Sequence, residues 1–193
     1  MAFILVQGGA SLYKVDPTTG TATALTLPTG VTLSTTRKPK FAVLNQWVVV
    51  ANSPSRNLVI DPEGTVRVMV PKTPVSPPNV AVGASTGLTG AYLYKTSFIV
   101  TGSDGNLLME SGLSPASQSV TPANQDLVLT RVEFSNDAIS ARRIYRTLSG
   151  GIVYYQLADL DGNTQGTWQD NVADASLSLL PAMPSVLVSP PGT

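Results

Sequence analysis

At 193 residues the chain has room for one or two domains, and its 12 Lys and Arg balance 12 Asp and Glu to a formal net charge of zero. No net field draws it to nucleic acid or to an anionic membrane, and only 12% of its residues are charged, about half the roughly 25% usual in soluble proteins. It has no cysteine and no histidine, which removes disulfides, thiolate chemistry, the common transition-metal ligands and the commonest general base.

A surface this short of charge is expected to be largely covered by neighbours. The opening apolar run Phe3-Ile4-Leu5-Val6 has no basic residue before it and is shorter than the roughly 7 to 15 residues of a signal-peptide core. No apolar run approaches the ~18 residues of a membrane span. The chain is therefore expected to be made and to fold in the cytosol.

Leu12 to Val15 and Thr21 to Leu27 flank Asp16-Pro17-Thr18-Thr19-Gly20 and predict a hairpin. Proline presets φ, aspartate bonds the following backbone and glycine takes the left-handed position. Arg37-Lys38-Pro39-Lys40 is a small basic cluster without interleaved aromatics and reads as a solvated loop. From Phe41 to Val70, short β runs alternate with breaks at Asn45-Gln46, at Asn52-Ser53-Pro54-Ser55 and at Asp61-Pro62-Glu63-Gly64, which predicts an antiparallel meander. The turns starting at Asp16 and Asp61 lie 45 residues apart, within the roughly 40 to 50 residue period of propeller blades. Two such units cannot close a propeller, so they form a small open sheet or are completed by other copies.

Residues 1–70 are therefore expected to be a β-meander domain. Residues 71–78, with four prolines, read as a polyproline II linker. Residues 79–180 read as a β-sandwich and 181–193 as an extended tail. The glycine-rich stretch Gly83 to Gly90 is followed by the alternating run Ala91 to Val100 instead of the helix that phosphate binding needs. Further β runs are expected at Leu107 to Ser111, Gln118 to Thr121, Leu127 to Phe134 and Gly166 to Asp170, with a turn at Pro122 to Gln125. Strand spacings of about 8 to 15 residues without a 3.6-residue period give an all-β fold.

The strongest signal is Ala141 to Ala158, two β arms joined by Ser149-Gly150-Gly151. Val153, Tyr155 and Leu157 are expected to face the core and Tyr154 and Gln156 to face out. Asp159-Leu160-Asp161-Gly162-Asn163 partly matches a calcium loop but has its glycine one place early and no flanking helices, and reads as a turn. Among Glu110, Glu133, Asp137, Asp159, Asp161 and Asp170, nothing links a pair for the opposed-carboxylate work of glycosidases. Trp47, Trp168, Tyr92, Tyr94, Tyr154 and Tyr155 could build a sugar platform or an interface anchor, but most are expected in the core. The candidate interface residues are Arg142, Arg146, Tyr154, Gln156 and Trp168. No catalytic, cofactor-binding or metal-binding residue stands out.

The order Pro77-Pro78, Gly90 to Tyr94, Glu110 to Pro115, Arg143 to Thr147, Gly150-Gly151, Tyr154-Tyr155 and Asp170 resembles fibronectin type III-like modules in tailed-bacteriophage virion proteins, over residues 76 to about 180. Leu12 to Gly20 is similar to propeller-like parts of phage tail proteins. The resemblance implies a fibronectin III/Ig-like sandwich and a non-enzymatic virion component at the tail or head-tail (portal) vertex. Its partners would be copies of itself in a symmetric ring or array and other virion proteins (tail, adaptor, portal or capsid), with no nucleic acid and no membrane. It would be assembled in the bacterial host cytoplasm and localised in the virion. The alternatives are a capsid decoration protein and a carbohydrate-binding adsorption module.

Overall fold

A computed structural model of the chain describes residues 3–44, 46–52, 56–102, 104–164 and 166–183. The expected breaks at Asn45 and at Ser53-Pro54-Ser55, and the tail beyond residue 183, lie outside the described residues. The described chain is all-β apart from one short helix, and it divides into two units: Met1–Val70 with Asn136–Ala138, and Pro71–Ser135 with Ile139–Thr193.

In the first unit, β1 (Ile4–Gly8), β2 (Ser11–Val15) and β3 (Ala22–Leu25) form one antiparallel sheet. The predicted meander forms the other, in the order β4 (Lys40–Leu44), β5 (Trp47–Ala51), β6 (Leu58–Ile60) and β7 (Val66–Val68). Leu12 and Leu25 of the first sheet and Val50, Leu58, Ile60, Val66 and Val68 of the second belong to one core, completed by Val31 and Leu33. The two aspartate turns are built alike. Asp16 Oδ1 accepts from Thr18 N at 2.7 Å, and Asp61 Oδ1 accepts from Thr65 N at 2.7 Å. Gly20 and Gly64 close the turns at φ +72° and +97°, where a Cβ would be strained. Asn52 links the sheets, donating to Gln7 Oε1 and, at 3.0 Å, to Ser34 O. Arg56 pairs with Asp137 at 2.5 Å, so the 136–138 segment belongs to this unit through an ion pair.

The second unit contains β8 (Asn79–Val82), β9 (Leu88–Thr89), β10 (Tyr94–Thr101), β11 (Leu107–Glu110), β12 (Ala123–Gln125), β13 (Leu127–Thr130), β14 (Ala141–Thr147), β15 (Tyr154–Asp161), β16 (Thr167–Asp170) and the helix α1 (Asp174–Leu177). A four-stranded sheet, β11-β10-β14-β15, and a three-stranded sheet, β16-β13-β8, contribute Tyr94, Ile144, Leu157 and Leu160 from one side and Leu127 and Leu129 from the other to a shared core. That arrangement is a sandwich. The three-stranded sheet is completed by β16, the last strand among the described residues.

Some local expectations change. The 122–125 turn contains the short strand β12, paired with β9. The run expected to reach Phe134 ends at Thr130, because Arg131 takes φ +53°. The residues of the 71–78 linker belong to the second unit: Pro71, Pro74 and Pro78 are buried, and Val75 N and Ser76 N donate to Glu133 Oε2 at 2.9 and 2.6 Å.

Beyond β11 the chain runs beside β10 through three serines spaced by three. Ser111, Ser114 and Ser117 donate their backbone N–H groups to the carbonyls of Phe98, Thr96 and Tyr94 at 2.8 to 2.9 Å. Their hydroxyls accept from the N–H groups of the same three residues at 2.9 to 3.0 Å and donate to the carbonyls of Gly112, Pro115 and Gln118. Each serine thus replaces a ladder pair, so Pro115, which has no N–H, is accommodated. Replacing the middle one, Ser114→Ala, leaves the buried N–H of Thr96 without its hydroxyl acceptor. The expected loss is about 1 to 3 kcal/mol in urea unfolding, and an unchanged midpoint would show that water or backbone fills the gap.

Candidate functional site

The hairpin is where sequence signals are densest, and the structure divides its residues between interior and surface. β14 alternates: Arg142, Ile144 and Arg146 pair with Phe98, Thr96 and Tyr94 of β10 on the face that holds Ile144 in the core. Arg142 and Arg146 are therefore fully buried, which corrects their placement as exposed interface residues. The six-residue connection from Thr147 to Tyr154 is wider than a tight glycine turn. It leaves Val153 in the loop and 48% exposed, so the expectation that Val153 faces the core is also corrected.

Arg146 is partnered at both terminal nitrogens, while its buried Nε has no hydrogen-bond partner. Its guanidinium donates to Asp170 Oδ2 at 2.6 Å, Val172 O at 2.7 Å and Asp174 Oδ1 at 3.0 Å, and lies 4.9 Å from the centroid of the Tyr92 ring. Tyr94 donates its hydroxyl to the same Asp170 oxygen at 2.6 Å, and the other oxygen accepts from Val172 N at 2.9 Å. Asp174 Oδ2 accepts from Ser149 N at 2.8 Å. Arg142 donates to Val132 O at 3.2 Å and stacks 5.0 Å from the Phe134 ring centroid; burial lowers its pKa.

On the opposite sheet face, Arg143 takes both oxygens of Asp159, at 2.8 and 2.9 Å, and reaches Glu110 Oε2 at 3.3 Å. Glu110 Oε1 also accepts from Tyr145 and Ser97 hydroxyls at 2.6 and 2.5 Å. This is a bidentate, charge-assisted cluster that the sequence reading did not find, since its members come from four strands. Glu110 and Asp159 meet on one guanidinium, Glu133 caps Val75 and Ser76, Asp137 holds Arg56, and Asp170 holds Arg146. Asn163 of the 159–163 segment exchanges bonds with the backbone of Ser135 at 2.8 and 2.6 Å. No group of acidic side chains able to hold a metal occurs among the described residues.

The Gly83 to Gly90 stretch is wrapped around a buried carboxylate. Asp126 accepts from Ser85 N at 2.7 Å and from Gln169 Nε2 at 2.6 Å, and a Cβ at Gly83 would collide with it. The loop thus encloses an anion of the protein's own.

No family model matches this chain, and no curated protein matches it significantly.

Of the remaining candidates, Tyr154 lies opposite Thr147 and Gln156 opposite Tyr145, away from the core face, with Lys95 4.9 Å over the Tyr154 ring. Gln156 uses its backbone N–H to bind Pro181 O at 2.9 Å. Trp168 and Tyr155 pack against the core, and Trp47 is half-buried. The candidates therefore do not converge on one site. Both units expose apolar side chains; in the first unit Ile4, Val6, Phe41 and Val43 on β1 and β4 are 53%, 43%, 41% and 73% exposed.

Two measurements follow from the buried clusters. Asp170→Ala strands the Arg146 charge and should cost roughly 3 to 5 kcal/mol in chemical denaturation; a loss under ~1 kcal/mol would show that Asp174 alone satisfies the guanidinium. Tyr94 is pushed up in pKa by burial first and then by the Asp170 charge. Tyr145 is pushed up by burial and its bond to Glu110, and Tyr92 by burial and then Asp174. Each ionises less readily folded than unfolded, so the stability they support is complete below the ordinary tyrosine value of 10.0 and falls as pH rises above it. Thermal stability should fall steadily above that pH, with these three absent from the 295 nm tyrosinate signal until the fold is lost. Ionisation of all tyrosines in still-folded protein would contradict this.

Proposed function

We propose that the protein is a non-enzymatic structural component of a tailed-phage virion, in the tail or at the head-tail vertex, working through contacts between its own copies and with neighbouring virion proteins. The observation that carries this reading is the contrast between charge and exposure. The ionic side chains around the second unit's core are spent on internal bonds, while strands of both units present apolar residues to water: Ile4, Val6, Phe41 and Val43 in the first, Val82, Leu107 and Leu108 in the second. Exposed apolar patches of this kind mark interaction surfaces, and a sheet edge without charge or bulge is a template for another chain. The phage assignment draws its support from the resemblance of residues 76 to about 180 and of Leu12 to Gly20.

Mass spectrometry of gradient-purified particles, from a lysate in which the gene is expressed, should find the chain at on the order of tens of copies per particle, as expected of a symmetric ring. Hundreds would move it to the capsid shell. Its absence from particles while abundant in the lysate would overturn the virion reading.

A further inference from the structure

The two sheets of the first unit lie strand over strand. Asn52, just past the end of β5, donates to Gln7 of β1. Lys14 of β2 donates to the Glu63 carbonyl at 3.4 Å, in the turn between β6 and β7, and a Cβ on Gly64 of that turn would touch Lys14 and Leu25 of β3. β1 therefore covers β5, and β2 and β3 cover β6 and β7. The three-stranded sheet has no strand left to lie over β4. Phe41 and Val43 of β4 show the consequence: they oppose Val50 and Val48 on the core face, yet are 41% and 73% exposed, whereas Val50 is fully buried.

A fourth strand on the free edge of β1 fills that position, since β1 pairs on one side only among the described residues. One face of the added strand lies on Phe41 and Val43, and the other continues the surface of Ile4 and Val6, which are 53% and 43% exposed. Successive side chains of a strand point to opposite faces, so the strand that fits is apolar on both faces and free of charge. β1 and β4 are five residues long, which sets its length. Ser185-Val186-Leu187-Val188-Ser189 meets each condition, with three consecutive apolar residues, no charge, and Pro184 and Pro190 at its two ends. Proline has no N–H to give to a ladder, so pairing stops at those limits.

We propose that residues 185–189 of a neighbouring copy are this strand, added to the edge of β1 by β-augmentation. The chain is anchored immediately before them: Gln156 N donates to Pro181 O at 2.9 Å and Met183 N to Tyr154 O at 2.7 Å, and only Pro184 separates Met183 from Ser185. One extended residue spans about 3.3 to 3.6 Å, so the receiving unit has to lie against this end of β15. The surface there is apolar, with Ile152 and Val153, just before Tyr154, 87% and 48% exposed. Two different parts of the chain meet, so the contact is heterologous and links copies into a ring or a filament. This inference rests on the proposed homo-oligomeric role and names the segment that joins the copies.

The full chain is followed by size-exclusion chromatography with light scattering, with far-UV circular dichroism and melting to establish folding. Wild type should associate. Leu187→Asp in the strand, and Val43→Asp in the site with Ile4→Asp as a second site variant, should each give folded monomers. An equimolar mixture of Leu187→Asp and Val43→Asp should give a discrete 1:1 dimer, since the first keeps the site and the second keeps the strand. A fluorescein-labelled peptide of residues 184–193 should bind the Leu187→Asp chain in an anisotropy titration and lose that binding on Val43→Asp. A monomeric wild type, a mixture that stays monomeric, or a peptide that binds both variants equally would each overturn the strand exchange. If the chain is present in purified virions but the mixture does not dimerise, only this contact fails; absence from virions while the mixture dimerises fails the function reading instead.

Discussion

A guanidinium taken wholly out of water must be met by partners on every side, or the charge costs more than the fold can supply. Arg146 meets that demand through its two terminal nitrogens, its buried Nε having no hydrogen-bond partner, and much of the second unit is arranged around it. Asp170 closes β16, the Val172 carbonyl and Asp174 bring in the start of α1, and Tyr92 and Tyr94 come from the chain entering β10. Asp170 is shared between Arg146 and Tyr94, so the last strand and the first long strand are fixed to one another by a single carboxylate. Asp174 also holds Ser149 in the hairpin connection, which couples the loop to the same node.

Alternation made the strands legible: the aspartate turns, the meander from Phe41 to Val70 and both arms of the hairpin can be read from residue types alone. The sidedness of arginine was not. Arg142 and Arg146 flank Ile144 at a spacing of two, so the pattern that puts Ile144 inside also puts them inside, but the strong preference of arginine for water argues the other way. Their partners settle it, and those lie far off: Asp170 and Asp174 are 24 and 28 residues from Arg146. No local window contains both halves of the pair. Val153 was misplaced for a different reason, because period-two counting has no means of knowing that the glycine turn widens into a loop and that the ladder starts at Tyr154.

The serine run shows a third kind of limit. Ser-x-x-Ser-x-x-Ser has neither the two-residue period of a strand nor the 3.6-residue period of a helix, and with Pro115 inside it reads as a loop. It runs as one beside β10, advancing three residues for every two on the strand, with hydroxyls standing in where a regular ladder would use backbone. The period of three is visible in the sequence, but its meaning depends on the strand it lies beside.

That run also closes a sheet border. In the second unit, the side of β10 beyond β11 is occupied by the serines. The far side of β15 receives residues 181–183, with Gln156 N bound to Pro181 O and Met183 N to Tyr154 O. Proline and out-of-register pairing at these borders leave little for another strand to join. In the first unit, β1 and β4 each pair on one side only among the described residues. Phe41 and Val43 lie on the core face of their sheet, opposite Val50 and Val48, yet are open to water, because the three-stranded sheet has no strand equivalent to β4 to cover them. The finished borders of the second unit are those of its four-stranded sheet; in its three-stranded sheet β8 and β16 each pair on one side only among the described residues, as β1 and β4 do in the first unit.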